Sequence, residues 1–236
     1  MKPGTPPASR PARVQMSRQA LERSLCALGA GRLRHMRATA RGLVDLLGEF
    51  VARGVTPLAD TVGADTPQAW QQFALDDIRM QRAGELFFYY HSHARDPHPE
   101  HGHFHVFRCL ASRSADVPPR YAHLVGIGVD ARGLPQRLFT TNRWVTNECW
   151  RDARDGVAAL ARIVAARRRL ATPCERWLRG MVAVFFPQIA LLLRHRDRRV
   201  AAHGGARVLE DHRMYVLSEC PVSLGEQMAA LDSVVR

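Results

Sequence analysis

The sequence is poor in lysine and cysteine and lacks the common nucleotide and hydrolase motifs. Lys2 is the only lysine in 236 residues, so the formal charge of +12 comes from arginine. The five cysteines are widely separated and form no C-x-x-C pair, which argues against a disulfide framework and a cysteine zinc site and predicts reduced thiols. No G-x-S-x-G, phosphate-binding loop or dinucleotide fingerprint occurs. Because none of these motifs is present, none of them predicts a function.

The basic charge has a local explanation that needs no nucleic-acid partner. Arginine clusters at residues 167–169 and 194–199 fall at the ends of predicted helices. Cations there complement the negative end of the helix dipole. Preference for arginine over lysine also fits genome base composition, so we expect no nucleic-acid binding.

No segment has the length and composition of a membrane span. The most apolar run, Met181–Leu193, is far shorter than the roughly 20 residues that a bilayer requires, and it contains Pro187. No apolar segment follows the basic N-terminal residues, so no secretory signal is predicted. We expect a cytoplasmic protein without a membrane partner, with a disordered basic tail at residues 1–15 and one α+β domain at residues 16–236.

Helical periodicity marks both flanks of the chain. Apolar residues recur at threes and fours over residues 21–28 and 33–50, and again over residues 157–164. Thr172-Pro173-Cys174-Glu175 is a capping box that predicts a helix start, and Pro187 should kink that helix. Residues 214–223 are predicted as an edge strand before a final helix at residues 224–235.

Between these flanks, four segments have strand character: residues 85–93, 100–110, 122–130 and 135–146. Short polar or proline-containing turns separate them. The sequence therefore predicts a four-stranded antiparallel β-meander flanked by N- and C-terminal helices. The Gly126-Ile127-Gly128 segment is too short for a phosphate loop and favours close packing within a strand.

Histidines cluster in the first predicted hairpin, where six of the eleven lie between His91 and His105. Side chains at alternate positions of a strand share a face, and such neighbours lie about 6.5–7 Å apart at the backbone. We expect five histidines to share one face of this hairpin, where they form a metal site with His101 and His103 as primary ligands. These five are His91, His93, His101, His103 and His105.

That arrangement depends on the strand register. With His93 near His101, His91 lies opposite His103 and Tyr89 lies opposite His105; a slip by one residue would send the first-strand histidines to the other face.

The candidate carboxylate ligands are Asp76 or Asp77, Asp96, Glu100 and Glu148, although Glu100 should face away from His101. Zinc, iron and manganese suit such a site. Alternatively, the histidines form a hydrogen-bonded polar layer in a half-buried sheet.

A second candidate site lies in the last strand-like segment. Asn142 and Trp144 would share one strand face, and Arg143 the other. Arginine binds carboxylate or phosphate through paired hydrogen bonds, and tryptophan stacks on flat ligands. The segment therefore predicts binding of an unidentified small molecule, although a core tryptophan beside a surface ion pair explains the same residues.

The runs FFYYHSH, EHGHFHVF and LFTTNRWVTNE resemble a bacterial family of uncharacterised proteins, a domain of unknown function with Y-Y-H-x-H and E-H-G-H-F-H motifs. The resemblance is close over residues 73–150. It implies motif positions at His91, His93 and residues 100–105, with Asn142, Arg143 and Trp144 in the second segment. It implies no activity.

Two hypotheses of different classes follow. The first is a metal-binding protein, which is a metal-dependent enzyme if the ion keeps an open position for water or substrate. The second is a non-catalytic ligand-binding or interaction module, in which a histidine and aromatic pocket holds a ligand and Arg143 fixes an anion. The sequence identifies neither the reaction nor the oligomeric state.

Overall fold

The described strands form one sheet. The computed structural model describes residues 9–56, 81–83, 85–92, 100–110, 120–166 and 172–235. The strands are β1 (Ala12–Arg13), β2 (Gln81–Ala83), β3 (Leu86–His91), β4 (Gly102–Leu110), β5 (Arg120–Val129), β6 (Pro135–Thr141) and β7 (Val216–Pro221). Their order in the sheet is β1-β7-β6-β5-β4-β3-β2. β1 runs parallel to β7, and the other neighbouring pairs are antiparallel.

Helices flank this sheet at both ends of the chain. They are α1 (Arg18–Cys26), α2 (Ala30–Ala52), α3 (Arg143–Thr146), α4 (Ala153–Ala165), α5 (Pro173–Val184), α6 (Phe186–Ala202) and α7 (Leu224–Val234), and a short 3-10 helix spans Gly205–Glu210. The α+β class is confirmed. The four predicted strands, β3 to β6, are successive antiparallel neighbours, but they form the middle of a larger sheet. β1 and β2 are too short to produce a visible alternation of apolar residues.

The hydrophobic core lies on one face of the sheet, because alternate residues of each strand point toward the helices. The ring of Phe104 on β4 lies 4.9 Å from that of Trp177 on α5, centroid to centroid, and both residues are fully buried. The main hydrophobic cluster takes residues from α1, α2, α4 to α7 and the sheet. The expected single domain at residues 16–236 stays a prediction.

The apolar run at residues 181–193 is buried but does not form one kinked helix. The capping box at Thr172 is present, and α5 ends at Val184. α6 then begins at Phe186, so that Pro187, which has no N–H to donate, lies in its first turn. Among the described residues, no single helix has the length and apolarity of a membrane span. α5 and α6 together meet that criterion, but they bend by 68° at the break.

The structure corrects two predicted boundaries. Ala12 and Arg13 pair with β7, and Val14 is buried, so residues 12–14 of the predicted disordered tail are ordered against a free strand edge. The fourth predicted strand ends at Thr141 rather than at residue 146. The Asn142 side chain caps α3 by accepting a hydrogen bond from the Arg143 backbone, which ends the extended conformation.

Candidate metal centre

The sheet face opposite the hydrophobic core carries a layer of imidazole and aromatic rings, which we call the histidine face. It arises because strand positions that alternate with the core residues hold histidine, tyrosine or phenylalanine. Several of these rings are almost fully buried. The members of the histidine face are Tyr89, His91, His103, His105, Phe107, His123 and Phe139.

His91, His103 and His105 form a compact group at the centre of this face. Each offers a ring nitrogen, and these three nitrogens all lie within 4.8 Å of one another. The predicted register is confirmed, because His91 is directly opposite His103 and Tyr89 is opposite His105. The Nε2 atoms of His91 and His103 are 2.5 Å apart. Three imidazole nitrogens grouped this closely could hold a single ion after small movements of the rings.

Aromatic rings fix the orientation of the three imidazoles. The Tyr89 ring centroid lies 5.6 Å from that of His91 and 5.0 Å from that of His105. On the other side, Phe139 packs edge-on against His103 at 5.1 Å. Phe139 fits because its partner on β5 is Gly126, where a Cβ atom would stand 2.3 Å from the ring. The glycines of β5 thus serve close packing, as the sequence predicts.

A buried hydrogen-bonded chain continues from His105. Its Nδ1 lies 3.1 Å from Nε2 of His123, and Nδ1 of His123 lies 3.3 Å from the Thr141 hydroxyl. Burial, assisted by the positive charge of Arg196, lowers the pKa of His123 to about 3. His123 is therefore neutral at pH 7, which leaves one of its ring nitrogens as a donor and the other as an acceptor.

Glu148 lies behind this chain as a buried carboxylate. One oxygen accepts a 2.7 Å hydrogen bond from the His123 backbone N–H, and the other has no hydrogen-bond partner among the described residues. Burial raises the pKa of Glu148 to about 7, although the charge of Arg196 opposes the shift. Of the predicted carboxylates, Glu148 therefore lies beside the histidine chain rather than among the three central rings.

The side chains of Glu100 and His101 lie on the opposite faces of the sheet from those predicted. The His101 ring lies on the core face, where its Nδ1 is 2.7 Å from the Tyr90 hydroxyl, so the prediction that it shares a face with His103 is wrong. The Glu100 carboxylate instead lies 3.9 Å from Nδ1 of His103. The chain bends at His101, and regular alternation begins only at Gly102. A period of two extended from His103 therefore gives the wrong side.

Glu100 belongs to a buried ionic network that the sequence did not reveal. Arg137 donates to both Glu100 oxygens, from Nε at 2.6 Å and from Nη2 at 3.1 Å, and its Nη1 donates to Glu219 at 3.1 Å. We call these three residues the Glu-Arg-Glu network. It borders a cavity of about 260 Å³ that Arg13 and Gln136 also line. The pairing of strands β4 to β7 brings these residues together, although they are far apart in sequence.

The second predicted site serves internal contacts. Asn142 donates to the Val208 carbonyl at 2.7 Å, and Trp144 donates to the Asp211 carbonyl at 3.0 Å. Arg143 pairs with Glu210. These bonds join α3 to the segment after α6, and the helix replaces the strand on which a shared face was predicted. Anion binding by Arg143 stays a prediction.

Several predicted ligands lie outside the described residues, namely His93, Asp76, Asp77 and Asp96. Conversely, His123 joins the site but was not predicted, because it stands alone on its strand. Its position on a strand next to the hairpin was the one signal available. Its place on the histidine face depends on a bulge in the pairing of β4 with β5.

The comparisons with known proteins identify a family without assigning a reaction. No curated protein and no solved structure gives a significant match to the chain. One family model, described as a domain of unknown function (DUF6969), matches residues 37–222 and so covers β2 to β7 and the three central histidines. This chain therefore belongs to the DUF6969 family.

Proposed function

We propose that the protein binds one divalent transition metal ion through His91, His103 and His105. The observation that carries this proposal is the convergence of three imidazole nitrogens within 4.8 Å. Neutral imidazole suits zinc, iron and manganese, and the buried aromatic surroundings would limit exchange of the ion with solvent. This is the metal centre that the histidine-rich hairpin predicts, built from a smaller set of ligands.

The distances require only small adjustments. Two nitrogens bound to one zinc ion at about 2.1 Å in tetrahedral geometry stand about 3.4 Å apart. The 2.5 Å between the Nε2 atoms of His91 and His103 is shorter than this, and the 4.8 Å limit for the whole group is longer. Ring rotations that move the nitrogen atoms by a few tenths of an ångström to about one ångström would bring these separations to the value expected for zinc ligands. His105 would bind through Nε2, since its Nδ1 contacts His123.

Three protein ligands favour a catalytic rather than a structural ion. Structural zinc sites take four protein ligands, whereas catalytic sites keep a position for water or substrate. An ion held by three histidines would lower the pKa of a bound water and polarise a bound carbonyl or phosphoryl oxygen. We therefore extend the proposal to a metal-dependent enzyme. If His93 were a fourth ligand, no coordination position would remain for water or substrate.

The alternative of a non-catalytic module has less support. It relied on Arg143 and Trp144, whose polar groups bond to Glu210 and to the backbone near Asp211. The histidine face, in contrast, presents a cluster of donors for which metal binding is the simplest use. We retain the expectation of a cytoplasmic protein within the proposal, since all five cysteines are free.

Metal analysis of untagged protein tests the proposal. Cells are grown with zinc, iron and manganese supplements, and the purified protein is expected to hold about one ion per chain. The metal-free protein is then titrated with Co²⁺, whose visible absorption distinguishes four-coordinate from higher coordination. A band that azide or cyanide shifts supports an open position, and a band that they leave unchanged supports a closed site. Protein that holds no metal and gives no Co²⁺ band would overturn the proposal.

A further inference from the structure

We propose that Glu100 is the positioning residue of this metal centre: it orients His103 and supplies negative charge close to the ion. The inference rests on the proposed function. It also explains why a glutamate precedes the histidine motif of this chain, a feature that metal binding by His91, His103 and His105 leaves unexplained.

Among the described residues, the Glu100 carboxylate lies beside the ring of one proposed ligand, His103. The Glu100 side chain is 1% exposed, and its Oε2 lies 3.9 Å from Nδ1 of His103. An imidazole that binds a cation through one nitrogen becomes a stronger donor at the other, and metal-ligating histidines usually donate that N–H to a carboxylate or carbonyl. Binding of an ion at Nε2 would thus draw Nδ1–H of His103 toward Glu100. The contact would fix the tautomer that keeps Nε2 available for the ion.

The charge of the Glu-Arg-Glu network also favours a cation. Two glutamates and one arginine leave a net charge of −1, and the side chains of all three are at most 10% exposed. Arg13 also contacts Glu219, but its side chain is 77% exposed, so water screens its charge. Three neutral imidazoles provide no charge to balance a divalent ion. The network supplies part of that balance a few ångströms away.

A purely structural role is the competing explanation. Arg137 bonds to Glu100, just before β4, and to Glu219 on β7, so the network links the start of β4 to β7. Buried ion pairs contribute little net stability, because desolvation offsets their attraction. Both glutamates bond to Arg137, but Glu100 lies 3.9 Å from Nδ1 of His103, whereas Glu219 lies on β7, which β6 and β5 separate from β4. This asymmetry supplies a matched pair of variants.

The experiment compares Glu100→Gln with Glu219→Gln in the full-length protein. Zn²⁺ affinity is measured by competition with a chelator, and the Co²⁺ absorption spectrum is recorded for each variant. We expect Glu100→Gln to weaken Zn²⁺ binding by about 10–100-fold and to shift the Co²⁺ band, because His103 loses its charged partner. Glu219→Gln, which weakens the ion pairs of Glu219 with Arg137 and Arg13, should leave the Co²⁺ band as in the parent protein and reduce affinity far less.

Equal loss of affinity in both variants, or none in either, would overturn the role of Glu100. If Glu100→Gln does not fold, Glu100→Asp replaces it: the charge for Arg137 remains while the carboxylate withdraws from His103, so weaker binding is again expected and unchanged affinity refutes the inference. A parent protein that binds neither Zn²⁺ nor Co²⁺ refutes the proposed function itself. The two failures are therefore distinguishable.

Discussion

The carboxylate of Glu100 occupies the space that a side chain on Gly128 would fill. A Cβ atom at position 128 would stand 2.3 Å from the Glu100 carboxyl carbon. Gly128 pairs with His103 on one side and with Arg137 on the other, so the missing side chain lets Glu100 lie between them. The second glycine of Gly126-Ile127-Gly128 thus connects strand packing to the metal centre.

Gly128→Ala should therefore disturb both packing and metal binding. The added methyl group displaces the Glu100 carboxylate, and overpacking of this kind costs about 1–3 kcal/mol of unfolding free energy. Zn²⁺ affinity should fall as it does in Glu100→Gln. Chemical denaturation and chelator competition measure the two effects.

Gly42→Ala is the matched control for that substitution. Gly42 lies exposed within α2, and a Cβ atom there meets nothing within 4 Å. Alanine is the better helix former, so this variant should gain about 0.5–1 kcal/mol and bind metal as the parent does. A Gly128→Ala protein with the stability and affinity of the parent would show that Glu100 does not need the space.

Glu148 makes the stability of the metal-free protein depend on pH. Burial raises its pKa from 4.5 to about 7, so between these values the unfolded chain has lost a proton that the folded protein still holds. Stability is therefore lost as pH rises from 4.5 to 7, by about 3 kcal/mol at the upper limit. Glu148→Gln, which keeps an oxygen for the His123 N–H, should remove this loss.

The measurement is the difference in unfolding free energy between the metal-free parent and Glu148→Gln from pH 4 to pH 8. As pH rises, the unfolding free energy of Glu148→Gln should increase relative to that of the parent. His123 titrates in both proteins, so it does not contribute to the difference. Glu226→Gln at an exposed helix start controls for the loss of one negative charge. A difference that does not change with pH would contradict the assignment.

Asn142→Ala should lower stability without changing metal content. Asn142 is fully buried, caps α3 and donates to the Val208 carbonyl. Losing the cap and leaving that carbonyl without its donor costs about 1–3 kcal/mol. Thermal denaturation and metal analysis on one sample test this. Reduced metal content at unchanged stability would contradict the structural role of this segment.

The sequence predicts the secondary structure that depends on local pattern. The four central strands, the capping box at Thr172 and the final helix, Leu224–Val234, have periodicity or capping residues that act within a few positions. β1 and β2 lack such a pattern because they are two and three residues long. Their pairing depends on free edges of a sheet that other parts of the chain form.

Only the part of the candidate site that follows from strand register could be predicted from the sequence. Pairing of His91 with His103 follows from a hairpin with a regular alternation. The positions of Glu100 and His101 do not follow, because one bend before Gly102 reverses the side on which each residue lies. The Glu-Arg-Glu network joins residues 37 and 82 positions apart, a separation at which no local sequence pattern operates.

The most direct test of the metal centre compares His103→Ala with His101→Ala. Both remove an imidazole from the same motif, but His103 lies in the central group and His101 bonds to Tyr90 on the core face. The measurement is the number of zinc, iron and manganese ions per chain in untagged protein, with the thermal midpoint recorded on the same sample. We expect His103→Ala to lose most of the metal and His101→Ala to keep it while its midpoint falls. Metal retained in His103→Ala, or lost equally from both folded variants, would contradict metal binding by His91, His103 and His105.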